Sequence, residues 1–237
     1  MVVLCWQKSE YAILPDKVAF SVQEYDLVMM PNQNDDLQQL RSQIAAVAAR
    51  MIAQDGADYA TAKRKAATQV LGDERPAANL MPDNLQVEEE VRQYIALFQS
   101  ATQPARLLEL RKAALGVMEA LSEFSPYLTG PVLNGTAGEH DDIHLQLFVE
   151  SPKDVEIFLL NRDVNIDISE TPHFKGARYD PVETISFMWR REGVHAEVYD
   201  LNDLRGALKP RADGRLQRAD IEAVRALIEA SPDLNEP

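Results

Sequence analysis

The sequence predicts an α+β fold: a helical N-terminal half, then a mixed, mostly antiparallel sheet of about five strands flanked by helices. Two observations carry this. Between residues 35 and 124 apolar side chains recur at three- and four-residue spacing, the period of one helix face. After Pro126 the period falls to two, most clearly in Ile143–Glu150, where Ile143, Leu145, Leu147 and Val149 alternate with His144, Gln146, Phe148 and Glu150. A third observation sets the scale: the chain has 237 residues, 46% of them hydrophobic, enough for one sizeable core and a helical satellite.

Residues 1–34 stand apart. They show no helical period, and the short apolar runs Val2–Trp6 and Val18–Val22 read as strand candidates within an irregular extension. Met29 and Met30 directly precede a strong helix start, so a native start there, with the upstream residues foreign to the protein, is an alternative expectation. Peptides upstream of Met29 in the natural protein would exclude it.

The first helix opens at Asp35–Asp36, since acidic residues suit the positive end of the helix dipole. Leu37, Leu40, Ile44, Val47, Ala48, Met51 and Ile52 form its stripe, and Gly56 ends it. Asp58 is placed to cap a second helix, 59–71, which stops at Gly72, so 35–72 reads as a helical hairpin. Pro76 and Pro82 make 73–84 a linker, and 85–237 is read as the α+β domain. A third helix, from about Leu85 to Ser100, carries Val87, Val91, Tyr94, Ile95 and Phe98 as its core stripe. A fourth runs from Pro104 to about Phe124 with Leu107, Leu108, Leu110, Leu115, Val117, Met118 and Leu121 as its apolar positions. Beyond it, the segment 130–137, Ile143–Glu150 and Val155–Leu160 are expected as strands. Thr184–Arg190 and Val194–Tyr199 are expected as a hairpin about Arg191–Gly193. A short helix at Leu201–Ala207 and an amphipathic one at Arg218–Ala230, with Ile221, Val224, Leu227 and Ile228 on one face, complete the chain before a frayed tail.

Charge narrows the partners. Asp plus Glu total 38 against 24 Lys plus Arg, a formal net charge of −14. Such a body repels nucleic acid and anionic membrane over most of its surface. The basic run Lys63–Lys65 is too short for a nucleic-acid footprint and reads as a solvated helix face. One cysteine, Cys5, excludes an intrachain disulfide and a thiolate metal cluster. No apolar run is long enough to cross a bilayer and no signal-peptide pattern is present, so the expected location is cytoplasmic.

The chemistry-bearing cluster lies in Leu133–Leu145. His140, Asp142 and His144 are spaced by two, so an extended chain puts all three on the face opposite Ile143 and Leu145. On the later strand His195, Glu197 and Tyr199 alternate with Val194, Ala196 and Val198. Were the two strands neighbours, His144 and Glu197 would approach each other.

Here the chain resembles the nucleotidyltransferase superfamily, whose signature is a helix, a strand ending in Gly-Ser and a second strand reading Asp-Ile-Asp-Leu. The matching residues are the helix Pro104–Phe124, a strand at Val132–Asn134, the pair Gly135-Thr136, and Asp142-Ile143-His144-Leu145. The same stretch is similar to a set of uncharacterised proteobacterial proteins. The resemblance spans about residues 104–200. It implies a nucleotide or other phosphorylated ligand, with Gly135 and Thr136 holding phosphate and His140 and His144 beside it. It also implies Mg²⁺ on Asp142, with Glu197 (or Asp200) as a later carboxylate, these being the catalytic groups. His144 replaces the second carboxylate, and imidazole is a poor Mg²⁺ ligand. The Gly135-to-Asp142 gap is short as well. Both departures point to a degenerate site with little catalytic power. Three other readings remain open: a polar hairpin turn at 135–142; a Zn²⁺, Ni²⁺ or Fe²⁺ site from His140, Asp142, His144 and His195 or Glu197; and a non-enzymatic module whose N-terminal helices dock a protein partner or a second copy. An enzyme needs Asp142 and Glu197 close together in a concave site. An interaction module needs an exposed apolar stripe on 35–72.

Overall fold

The computed structural model describes residues 33–72, 76–207 and 216–231. Strand candidates in 1–30, the linker residues 73–75 and the C-terminal tail lie outside the described residues. The chain is α+β, with a helical bundle followed by a five-stranded mixed sheet and its flanking helices.

The bundle has three helices: α1 (Gln33–Asp55), α2 (Tyr59–Leu71) and α3 (Asn84–Phe98). Asp58 caps α2 by accepting from the Thr61 amide at 2.9 Å. Asp83 and Gln86 form a reciprocal capping box on α3. Ile44, Ala48 and Ile52 of α1 pack with Ala62, Ala66 and Ala67 of α2 and with Val87, Val91 and Ile95 of α3. The alanines let the helix axes approach closely. The third helix thus joins the hairpin instead of opening the sheet domain, and its apolar residues complete the hairpin's core. Phe98, expected in that core, is 69% exposed. It is the last residue of α3, three past Ile95, and its ring lies tilted against Tyr94 with centroids 4.7 Å apart.

From α4 (Gln103–Ala120) the chain runs through β1 (Tyr127–Thr129), α5 (Gly130–Asn134), β2 (Ile143–Val149), α6 (Pro152–Leu160), β3 (Ile166–Thr171), β4 (Val182–Trp189) and β5 (Glu192–Asp200). It ends in a short α7 (Leu204–Ala207) and α8 (Ile221–Glu229), which Asp220 caps through the Ala223 amide. The strand order is β1-β2-β5-β4-β3, antiparallel throughout except for the parallel β2–β5 pair. One face buries Leu128, Leu145, Ala196 and Ile185 against Leu110, Ala114, Val117 and Val224 from α4 and α8.

Three strand expectations are corrected. The segment 130–137 is not a strand: Pro131 suits a helix's first turn, Gly135 closes α5 at φ 86°, and the amides of Gly135, Thr136 and Ala137 all donate to the Pro131 carbonyl. The strand lies just upstream, at β1. Val155–Leu160 is helical, because Val155 and Leu159 are buried four residues apart while Ile157 and Leu160 face outward; a six-residue apolar run does not by itself distinguish the two periods. The hairpin turns at Arg190-Arg191, with φ of 58° and 154°, and not at Gly193. An edge strand, β3, escaped the sequence reading because most of its side chains are exposed and its apolar content is low.

The bundle is tied to the sheet domain by polar contacts. Arg92 pairs with the buried Glu88 and donates to the Asn134 carbonyl at 3.2 Å. Within the sheet domain, Gln103 at the start of α4 donates to the carbonyls of Gly135 (3.1 Å) and Ala137 (2.8 Å). Burial, with the Glu88 charge, pushes the Tyr59 hydroxyl up to about 12.

Candidate functional site

The sheet face opposite α4 is polar, and its register is continuous. Thr129, His144, His195, Ser186 and Asp167 lie opposite one another across all five strands. Two residues along, Tyr127, Gln146, Glu197, Thr184 and Ser169 form a second row. A third level, Phe148 beside Tyr199, is covered by Phe174 and Leu204. The first row opens into a cleft of about 570 Å³ at the head of β2, lined by Asp142, Asp167, Ser186, Arg191 and His195 among others. That volume falls in the range of small-molecule sites.

At the centre stands His195. Its Nδ1 is 2.8 Å from Ser186 Oγ and its Nε2 is 3.0 Å from Asp142 Oδ2. A carboxylate oxygen only accepts, so Nε2 carries the proton and Nδ1 is left to accept from the serine hydroxyl. Asp142 reaches His195 by lying across the Cα of Gly193: a Cβ there would stand 2.3 Å from Asp142 Oδ1 and 2.6 Å from its Cγ. The hairpin bearing Gly193 is clamped to α4 by Arg106, whose two terminal nitrogens each lie 2.7 Å from a Glu192 oxygen. That fork holds the Glu192 carboxyl below its ordinary value. Arg191 lines the cleft, and among the described residues its guanidinium has no hydrogen bond or ion pair.

His144 stacks on His195 with ring centroids 5.3 Å apart. Burial first, and the neighbouring His195 second, hold its imidazole below the ordinary 6.5. The unfolded chain therefore takes up a proton at a pH where the folded chain does not. This contribution to stability is complete above 6.5 and is lost as pH falls below it. We expect His144→Gln to shrink the drop in urea midpoint between neutral pH and mildly acidic pH, by at most about 1.4 kcal/mol per pH unit. Equal drops in both proteins would contradict it.

The residues singled out in the sequence divide. Asp142 and His144 are in or beside the cleft, and His140 is exposed on its rim. β2 and β5 are neighbours, but His144 stands opposite His195, and Glu197 stands opposite Gln146. Asp142 precedes the register at Gly193, four residues or about 13 Å along the strand from Glu197. Glu197 accepts from Gln146 Nε2 at 2.8 Å and from the Tyr199 hydroxyl at 2.7 Å. The two carboxylates therefore do not converge, and among the described residues no three His, Cys, Asp or Glu side chains form a metal-holding group. The pair does not fit the Mg²⁺ that the resemblance implied. Gly135 and Thr136 follow α5 instead of ending a strand. Thr136 is buried, its hydroxyl 2.6 Å from Asn134 Oδ1, and it packs toward Tyr59 and away from the cleft. The pair that does end the first strand is Gly130-Pro131, which has no hydroxyl.

Ser186, Asp167, Arg191 and Gly193 were not singled out. Ser186 could have been found: with Thr184 it holds alternate positions against Ile185 and Phe187, the polar face of a strand. No family model matches the chain, and no curated protein matches its sequence.

Proposed function

We propose that the chain is a nucleotidyltransferase-like binding domain that takes a nucleotide, or another phosphorylated small molecule, in the cleft at the head of β2. One observation carries this reading: Arg191, uncommitted among the described residues, shares a cleft of ligand size with Asp167 and with the hydrogen-bonded set Asp142, His195 and Ser186. The lining is mixed in sign. A nucleotide is mixed in the same way, with an anionic phosphate end and hydroxyl and amino donors elsewhere. Arg191 suits the phosphate and the carboxylates suit the donors. The order α4, β1 followed by Gly130, then β2 headed by Asp142 also supports the reading, being the helix–strand–strand order of the superfamily's signature without its glycine-hydroxyl pair. Metal-dependent transfer is not part of the proposal, because Asp142 is engaged by His195 and Glu197 lies a second row away.

Two arginines at positive φ support a role for the turn. Side chains other than glycine are strained there, and such strain is kept where the residue is needed. The interaction-module reading has less behind it. Its apolar stripe on 35–72 is the bundle core, and among the described residues no large apolar side chain of that segment is exposed.

Calorimetric titration with ATP and CTP, with and without Mg²⁺, tests the proposal. We expect binding by the native chain, weakened at least about tenfold by Arg191→Ala, as loss of one charge-assisted contact requires. Absence of heat with either nucleotide would overturn it.

A further inference from the structure

Ser186, His195 and Asp142 form a hydrogen-bonded line through the cleft. We infer that Ser186 is an activated nucleophile, able to accept an acyl group from a small ester. A serine hydroxyl is inert until a neighbouring base removes its proton, and the base must be held in the tautomer that can accept it. Both conditions are met. Ser186 Oγ lies 2.8 Å from His195 Nδ1, and Asp142 Oδ2, 3.0 Å from Nε2, keeps the ring proton on the far nitrogen. The two imidazole nitrogens exchange the roles they have in the familiar serine triad, which the tautomeric symmetry of the ring permits. His195 and Asp142 are reachable, with side chains 36% and 46% exposed, and Ser186 lines the same cleft.

The step balances. Ser186 Oγ bonds to the acyl carbon while its proton passes to His195 Nδ1. The carbon–oxygen bond to the alcohol breaks, and the alcohol leaves with that proton. Water then attacks the acyl-serine, giving its proton to His195 Nδ1, which returns it to Ser186 Oγ as the acid departs. The negative charge that builds on the carbonyl oxygen has the uncommitted Arg191 guanidinium in the same cleft to face.

The test is labelling of the native chain with a fluorophosphonate, read by intact mass and peptide mapping, beside the burst of nitrophenolate from p-nitrophenyl acetate. We expect one adduct, on Ser186. His195→Gln, confirmed folded by circular dichroism, should form it about 100-fold more slowly, the contribution of a positioned general base. Asp142→Asn should slow it as well, and Ser186→Ala should abolish it. An unlabelled native chain, an adduct elsewhere, or an equal rate in His195→Gln would overturn the inference. It does not depend on the nucleotide reading: the adduct is read with no nucleotide present and the heat of nucleotide binding with no label present, so failure of either proposal is seen separately.

Discussion

Gly193→Ala should disable the cleft and destabilise the fold together. The added Cβ would stand 2.3 Å from Asp142 Oδ1, with Asp142 Cγ at 2.6 Å, closer than non-bonded atoms come. Either Asp142 swings out or the β2–β5 pairing shifts. If Asp142 moves, His195 loses the partner that fixes its tautomer, and Ser186 loses its base. If the strands shift, the parallel register from Ile143↔Val194 onward is strained from its first pair. A strand shift would cost about 1–3 kcal/mol, and a swing of the half-exposed Asp142 less, which urea denaturation would distinguish. Asp142→Gly in the same background should recover most of the stability and none of the site. If Gly193→Ala keeps native stability and native nucleotide binding, the contact of Asp142 over Gly193 is not part of the site.

Leu110→Ala should be the more destabilising change, with no direct effect on the cleft. Leu110 lies on α4, is fully buried, and belongs to the cluster that joins α4 to Leu128, Leu145 and Ile185 of the sheet. Truncating a leucine in such a place removes its transfer free energy and leaves a hole, together about 2–5 kcal/mol. The expected result is a lower urea midpoint with an unchanged slope, and unchanged nucleotide affinity under conditions where the variant is folded. A loss below about 1 kcal/mol would mean that α4 does not seat on the sheet through this residue.

The helical half was readable because its stripes are long: seven apolar positions at helical spacing over α1 leave no second interpretation. β2 and β5 were readable because they alternate cleanly. Short elements were not. GPVLNG fits a strand by composition, and only the three amides converging on Pro131 O make it a helix turn. The same misreading moved the expected phosphate-binding pair to Gly135-Thr136, where Thr136 is buried and bonded to Asn134. The site was half legible. Alternation put Asp142, His144 and His195 on one face, but strand order and register decide which of them meet. Nothing in the spacing says that β5 lies beside β2 in parallel, or that β4 brings Ser186 to His195. Glu197 was plausible for the same reason that it proved remote: a correct face with the wrong row.

Under the proposal, a phosphorylated ligand binds in the cleft at the head of β2. Amide chemical-shift mapping of the ¹⁵N-labelled chain during addition of ATP tests it most directly. We expect the largest shifts at Asp142, Ser186 and the turn from Arg190 to His195, with little change at Gly135 and Thr136. Shifts centred on Gly135 and Thr136, or on the helical bundle, would contradict it.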